Sequence, residues 1–101
     1  MHALLYRLAD SPEQRLLLSQ VIQPIIKHDE QFKSNLMLTL SAVLFSDDLD
    51  KNASLIHVHI NTVRYRLNKI HALTGFDYFT SEGRVVLVAA FLLYRYKESG
   101  I

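Results

Sequence analysis

The sequence predicts an all-α fold, a compact domain of about six helices that contains a helix-turn-helix. Apolar residues recur at helical spacing through most of the chain, as they do where one face of each helix packs on a common core. No alternation of polar and apolar residues runs long enough to predict a strand, and only three glycines interrupt the chain. We therefore expect helices throughout and almost no strand.

Length and charge limit what the chain can do. With 101 residues it has room for one small core, so we expect residues 1–101 to form a single domain. The net charge of +1 is too small for charge-driven coating of nucleic acid and favours a localised, oriented binding face. Because the chain has no cysteine, disulfides and thiolate metal sites are excluded.

The N-terminal part of the chain begins with two predicted helices. A short one is expected at residues 3–8, and a second begins after Ser11, a suitable N-cap, with Pro12 at its first position. The expected apolar side of the second helix consists of Leu16, Leu17, Val21 and Ile25. Pro24 lies within this pattern, which predicts either a kink or two shorter helices.

The third predicted helix spans roughly residues 30–45, after a boundary at His28 and Asp29. We expect Lys33 and Asn35 to face solvent. The residues expected to be buried are Phe32, Leu36, Leu40, Val43 and Leu44.

Residues 51–75 predict a short helix, a tight turn and a second, basic helix. Ala53 is small enough to let the two helices approach closely, and His57 stands where such motifs usually have a glycine. Val58 is apolar and can fill the angle between the helices. One face of the second helix then carries residues that recur at helical spacing, namely Val63, Leu67, Ile70 and Thr74. This pattern is typical of a helix-turn-helix DNA reader with a recognition helix at about residues 60–74.

The opposite face of this helix carries side chains suited to DNA. The candidate DNA-binding residues are His59, Asn61, Thr62, Arg64, Tyr65, Arg66, Asn68 and Lys69. Arg and Lys neutralise phosphates, Asn can bond adenine through two hydrogen bonds, and Thr and Tyr donate to phosphates. Residues 51–76 include four cationic residues and no acidic one, a local excess that the net charge of the whole chain hides.

Two of these candidates lie at the margin of the face. Arg66 is nearest the buried side, so we expect its aliphatic stem to cover the core while its head pairs with an acid or a phosphate. His59 is expected to cap or flank the start of the helix. A His-x-His pair without cysteine or a nearby carboxylate is a weak signal for zinc, so we expect neither a metal nor another cofactor.

The last predicted helix occupies an apolar segment at residues 80–98. Gly75 is expected to end the recognition helix in the left-handed conformation, and Thr80 or Ser81 to cap the last helix. Apolar residues cover almost every side of it, which a terminal helix of a small domain cannot hide within one subunit. We therefore expect a homodimer, formed through this helix or through a helical support and dimerisation region at residues 1–50. Two copies would read half-sites roughly 34–36 Å apart.

Neither secretion nor membrane insertion is indicated. The first residues lack a basic leader, a sustained apolar stretch and a cleavage site. The longest apolar run, residues 85–94, is shorter than the about 20 residues that span a membrane. We therefore expect a cytoplasmic protein with no membrane partner.

The segment HVHINTVRYRLNKIHALTG at residues 57–75, followed by Asp77, resembles the C-terminal helix-turn-helix domain of the PucR/CdaR family of bacterial transcriptional regulators. The resemblance is strongest at residues 53–77 and extends more loosely over nearly all of the chain. It implies sequence-specific binding of double-stranded DNA, dimerisation, and a larger regulator whose effector is sensed outside this chain. Members often have a basic residue at the position of Ile60, so we do not expect that contact here.

Two other functions compete with DNA binding. An enzyme would need a pocket in which a base or nucleophile has an orienting partner, and pairs such as His28 with Asp29 are only neighbours in sequence. We therefore expect no enzymatic activity. The alternative is a helical dimerisation or protein-interaction module whose helix-turn-helix does not bind DNA. Such a module would show little dependence on salt, in contrast to DNA binding.

Overall fold

The computed structural model describes residues 11–44 and 46–99, which form five separate helices and no strand. Helix α1 has three consecutive segments, Pro12–Leu17, Leu18–Ile22 and Gln23–Phe32. It is followed by α2 (Leu36–Ala42), α3 (Leu49–Leu55), α4 (Ile60–Thr74) and α5 (Ser81–Glu98). The all-α prediction is confirmed, and the described residues form five helices where about six were expected over the whole chain. The helix predicted at residues 3–8 lies outside the described residues.

Helix α1 passes through Pro24 without a break. Ser11 caps its start, where the hydroxyl accepts a hydrogen bond from the Gln14 amide at 3.2 Å, and Pro12 takes the first position as predicted. The segment Leu18–Ile22 is a π-helical turn, in which the amide of Gln23 donates to the carbonyl of Leu18, five residues back. Because proline lacks an amide hydrogen, a wider turn immediately before it keeps the two α-helical segments continuous.

Helix α1 buries a narrower face than predicted. Val21 and Ile25 are fully buried and Leu17 is half-buried, as predicted. The prediction that Leu16 belongs to this side is wrong, because 54% of its surface is exposed. Leu17, Val21 and Ile25 follow one another at four-residue steps, and Leu16 lies one residue off that line.

The boundary expected at His28 and Asp29 is wrong, because α1 continues to Phe32. The helix ends at Lys33, whose φ of 51° is left-handed, and Asn35 also has a positive φ of 58°. Both residues are exposed, as predicted. We call residues 32–36 the α1–α2 corner.

Asp29 explains why the chain turns where it does. Its carboxylate accepts hydrogen bonds from the amides of Leu36 at 2.8 Å and Met37 at 2.9 Å, and from the Ser34 hydroxyl at 2.6 Å. A residue in the last turn of α1 therefore satisfies the unpaired amides at the start of α2, which is the task of an N-cap. Helix α2 consequently begins at Leu36 rather than near residue 30.

One residue that was predicted to lie in the core lies at this corner instead. Phe32 is 60% exposed, so its assignment to the core is wrong. Leu36, Leu40 and Val43 are buried as predicted, and Leu44 packs against the core while half-buried. Phe32 ends α1, and the chain reverses after it, so the ring is left outside the packed interior.

The core lies where α1, α2, α4 and α5 meet. Its buried apolar residues are Val21, Ile22, Ile25, Leu36, Leu40, Val43, Ala53, Val63, Leu67, Ile70, Tyr78, Leu87, Ala90 and Phe91. Helix α4 packs on α1, α2 and α3, while α5 packs mainly on the first half of α1. None of the described helices is long and apolar enough to cross a membrane.

The loop between α4 and α5 is tied to α2 by Tyr78. The ring is 1% exposed, and its hydroxyl donates to the carbonyl of Val43 at 2.8 Å. The Arg84 guanidinium lies 4.5 Å from the centre of this ring and pairs with Asp47. Burial raises the pKa of the Tyr78 hydroxyl, and the positive charge of Arg84 opposes that rise. The loop is therefore a fixed part of the core.

Thr80 caps α5, as one of the two predicted alternatives, by accepting from the Gly83 amide at 3.0 Å. A Cβ atom at Gly83 would collide with the backbone of Asp77. This glycine is required because the first turn of α5 lies directly against the preceding loop.

Candidate nucleic-acid interface

The turn between α3 and α4 has the geometry predicted for a helix-turn-helix. The carbonyl of Ala53 accepts hydrogen bonds from the amides of Ile56 at 3.2 Å and Val58 at 3.0 Å, which close the turn between the two helices. His57 has a left-handed φ of 58°, as expected for the position where such motifs usually have a glycine. Ala53 is 3% exposed, so its small side chain lies between packed helices.

The start of α3 is held by two polar side chains. The carboxylate of Asp48 accepts from the Lys51 amide at 3.2 Å and caps the helix. Asn52 is fully buried, and its side-chain amide donates to the carbonyl of Ser46 at 2.9 Å. Sequence reasoning did not identify Asn52, because its role depends on a loop that lies six residues earlier in the chain. Together these bonds hold the start of α3, the helix against which α4 packs.

His59 caps α4, as predicted. Its Nδ1 atom accepts from the amide of Asn61 at 3.0 Å, and the residue is exposed. Ile60 follows as the first helical residue and is half-buried against the core. The position where family members often have a basic residue therefore belongs partly to the interior in this chain.

The inward face of α4 is the predicted one. Val63, Leu67 and Ile70 are each at most 1% exposed. The helix ends at Gly75, whose φ of 84° is left-handed and whose amide donates to the carbonyl of His71 at 2.8 Å. The glycine cap is confirmed, and so is the buried face, with Thr74 at its end half-buried. The rotation of α4 about its axis is thereby set, and with it the set of side chains that face outward.

All eight candidate DNA-binding residues lie at the surface along this helix and its cap. Those that are exposed are His59, Asn61, Arg64, Tyr65 and Asn68, and those that are half-buried are Thr62, Arg66 and Lys69. Tyr65 is 66% exposed, as its phase on the helix predicts. The Arg64 guanidinium and the Asn61 side-chain oxygen are 3.5 Å apart, the outer limit of a hydrogen bond, so this contact constrains neither side chain strongly.

Arg66 has a neutral partner rather than the acid that was one of its two predicted partners. Its Nη1 atom donates to the hydroxyl of Thr39 at 3.2 Å, and Thr39 is fully buried in α2. The hydroxyl in turn donates to the carbonyl of Asn35 at 2.9 Å. A guanidinium has five N–H donors, so this bond leaves others for a phosphate. The contact holds the head of Arg66 at the boundary between α4 and α2.

A groove runs between α4 and the α1–α2 corner, with a volume of about 510 Å³. Its lining residues are His28, Phe32, Ser34, Leu36, Thr62, Tyr65, Arg66 and Lys69. The rings of His28 and Phe32 are tilted against each other with centroids 4.7 Å apart. His28 Nδ1 lies 2.7 Å from the Ser34 hydroxyl. We call this feature the flank groove. It was not predicted, because Phe32 was expected in the core.

The described residues bring together no group of three or more histidine, aspartate or glutamate side chains that could hold a metal ion. His59 is engaged through Nδ1 with the backbone of its own helix. His57 lies in the turn, where its left-handed backbone shapes the change of direction. The positions of these two histidines are thus accounted for by the motif itself.

Comparison with known proteins places this geometry in a family. A family model described as the PucR C-terminal helix-turn-helix domain matches residues 36–93, more than half of the chain. The match begins at the start of α2 and ends within α5, so it includes the whole helix-turn-helix and most of the core. No curated protein and no solved structure matches the chain. The chain belongs to the family of PucR C-terminal helix-turn-helix domains.

Proposed function

We propose that this domain binds double-stranded DNA in a sequence-specific manner as part of a transcriptional regulator, with α4 in the major groove. The observation that carries the proposal is the outward face of α4, where polar and cationic side chains are exposed while Val63, Leu67 and Ile70 are buried. No acidic residue lies between Lys51 and Phe76, so nothing on this helix repels a phosphate.

The N-terminal half of α4 is assigned to the bases. Asn61 and Arg64 are exposed on its first two turns, and their side chains can each form paired hydrogen bonds, Asn with adenine and Arg with guanine. Asn68 is one turn further on and is assigned to the edge of the groove. These residues would supply discrimination between sequences.

The remaining candidates are assigned to the sugar-phosphate backbone. Lys69 and Arg66 supply positive charge, while Thr62, Tyr65 and His59 supply hydrogen-bond donors. Such contacts position a protein on the duplex without reading sequence. The half-buried state of Arg66 and Lys69 suits this role, because their stems are held by protein while their heads reach the margin of the helix.

We further propose that two copies of the chain act as a dimer. Val85 and Leu92 are 67% and 49% exposed on α5, and Ala89 is exposed between them. Steps of four and three residues place these side chains on one face of the helix. Burial of that face against a second copy would remove it from water and pair two recognition helices for two half-sites.

The rest of the proposal follows from the same role. A domain that reads duplex DNA acts where the DNA is, so a cytoplasmic location is proposed. The effector is proposed to bind a sensory region outside these residues. We propose no enzymatic activity, since one wall of the groove beside α4 consists of candidate DNA-binding residues.

The decisive experiment combines selection of a bound duplex from a random pool with anisotropy titrations at several salt concentrations. We expect log affinity to fall by roughly 0.9 per log unit of salt for each phosphate neutralised. Lys69→Ala should weaken binding to all duplexes about equally and reduce that slope. Asn61→Ala should instead reduce the preference for the selected duplex over a scrambled one, at a cost of about 1–3 kcal/mol.

Arg95→Ala is a suitable control, because it removes an exposed cation from α5 rather than α4. It should bind like the parent. If no duplex is enriched, or if the α4 variants and the control behave alike, the proposed interface is wrong. A dimer that forms normally without binding any duplex would favour the protein-interaction alternative.

A further inference from the structure

We propose that the flank groove receives the sugar-phosphate backbone of one DNA strand, so that the α1–α2 corner forms a second wall of the interface. This inference rests on the proposed DNA binding by α4. It assigns contacts to Phe32 and Lys33, which lie outside both the helix-turn-helix and the segment that matches the family model.

The groove opens on the surface already assigned to DNA. One wall consists of Thr62, Tyr65, Arg66 and Lys69, all of them candidate DNA-binding residues on α4. The other wall is the end of α1 and the start of α2. A duplex that meets the outer face of α4 therefore brings one of its strands to the mouth of this groove.

The lining suits the chemistry of a nucleotide backbone. Phe32 is 60% exposed. The described ring that contacts it is that of His28, at an interplanar angle of 45°, so much of the phenyl surface stays open. An exposed phenyl ring can pack against the apolar faces of a deoxyribose, while Arg66 and Lys69 on the facing wall attract the phosphate attached to it. The groove thus offers apolar surface for a sugar on one wall and positive charge for a phosphate on the other.

The charges in and around the groove fit the same occupant. None of the described lining residues is acidic. Asp29, the carboxylate that holds the corner, is turned inward and accepts hydrogen bonds from three donors of the corner itself. A carboxylate engaged in this way is directed at the protein rather than at a ligand.

Lys33 is a cation that adjoins the groove in the sequence. It lies in the chain between two lining residues, Phe32 and Ser34, and is exposed. Its amide donates to the carbonyl of Asp29 at 2.7 Å, and its φ of 51° is set by the turn. The backbone at Lys33 is thus fixed before any ligand arrives, and its side chain extends from a rigid corner.

The first test is site-specific crosslinking. A protein carrying p-benzoylphenylalanine in place of Phe32 should crosslink to a selected duplex on irradiation. The same substitution at Phe79, which is 48% exposed but does not line the groove, is the matched control and should give little adduct. Adding Arg64→Ala to the Phe32 variant should abolish the DNA adduct. Adducts only with a second copy of the chain, or none at all from a protein that still binds the duplex, would overturn the proposal.

The second test measures affinity. Phe32→Ala should weaken binding to selected and scrambled duplexes alike, by about three- to tenfold, with an unchanged salt slope, because an apolar contact releases no counterion. Lys33→Ala should lower the slope by roughly 0.9, the value for one phosphate. Both variants should unfold at the parent temperature, since both side chains are exposed.

The outcomes separate this inference from the proposed function. If the parent binds duplex and Lys69→Ala weakens it while Phe32→Ala and Lys33→Ala bind normally, the corner makes no contact and only the further inference fails. If the parent binds no duplex, both fail. If a free aromatic anion blocks crosslinking at position 32 while DNA binding stays unchanged, the groove is a small-molecule site instead. That result would also overturn the further inference.

Discussion

Helices α4 and α5 are the two longest α-helical segments described, and they divide their surfaces in opposite ways. Helix α4 buries Val63, Leu67 and Ile70 and exposes only polar residues and small or aromatic side chains around them. Helix α5 buries Leu87, Ala90 and Phe91 and still exposes Val85 and Leu92. The first helix has an apolar buried side and a largely polar outer side, whereas the second has apolar residues on both its buried and its exposed side.

The connection between the two helices keeps these surfaces in a fixed relation. Tyr78 anchors the loop to α2, and Gly83 allows α5 to begin against the backbone of Asp77. If α5 joins two copies, the same loop sets the separation and orientation of two α4 helices.

The largest effect is expected for the buried stripe of α4. Leu67→Ala should lower the free energy of unfolding by about 2–5 kcal/mol, because it leaves a cavity where a side chain is 1% exposed. Urea unfolding followed by circular dichroism measures this. Asn68→Ala, at the next and exposed position, should change stability by less than about 0.5 kcal/mol. Equal effects at the two positions would contradict the assigned orientation of the helix.

A smaller effect is expected for the loop between the helices. Tyr78→Phe removes the hydroxyl and leaves the Val43 carbonyl without this donor, which should cost about 1–3 kcal/mol. Tyr65→Phe is the control, since that ring is 66% exposed and should contribute little. Thermal unfolding of both variants measures this. A lower unfolding temperature for Tyr78→Phe but not for Tyr65→Phe would show that the buried hydroxyl holds the loop.

The pH dependence of stability should report the same contact. Burial raises the pKa of Tyr78 in the folded protein, so the folded state holds this proton more tightly than the unfolded chain does. Its contribution is therefore complete below the unfolded pKa of about 10 and is lost as pH rises from there through the folded value. The stability difference between parent and Tyr78→Phe should shrink above about pH 10. A difference that grows would reverse the assigned direction.

The smallest effect on folding is expected on the outer face of α5. Leu92→Asp should change monomer stability by about 0.5 kcal/mol or less, because the side chain is 49% exposed, yet it should prevent dimer formation. Sedimentation velocity over a range of concentrations measures this. Leu38→Asp, which alters a similarly exposed leucine on α2, should leave assembly unchanged. If Leu92→Asp associates like the parent, α5 is not the dimer face.

The sequence-based predictions succeeded where the determining interactions are local. In α4, the cap at His59, the buried stripe and the left-handed Gly75 all depend on residues within a few positions of one another. The spacing of the motif likewise placed His57 at the turn position where a glycine is usual, and its backbone there is left-handed. Whether these surfaces bind DNA stays a prediction, because composition indicates what a face can contact and not what it does contact.

Apart from Leu16, which is exposed near the start of α1, the wrong predictions lie at and just before the α1–α2 corner. Asp29 was taken as a boundary, but its carboxylate reaches the amides of Leu36 and Met37, seven and eight residues ahead, and so lets α1 run on to Phe32. Periodicity alone assigned Phe32 to the core, because it cannot show that a helix ends there. Tyr78 and Asn52 were missed for a related reason, since their hydrogen-bond partners are set by the packing of other segments.

The sequence by itself determined the helical class, the helix-turn-helix, the buried face of α4 and the excess of positive charge between residues 51 and 76. These properties follow from side-chain spacing and backbone preference, which act over one or two turns. Tertiary structure decided where α1 ends, which tyrosine anchors the loop, and that Phe32 lies beside Tyr65 and Lys69 in one groove. Those outcomes depend on contacts between segments far apart in the chain, and only the packed fold brings these together.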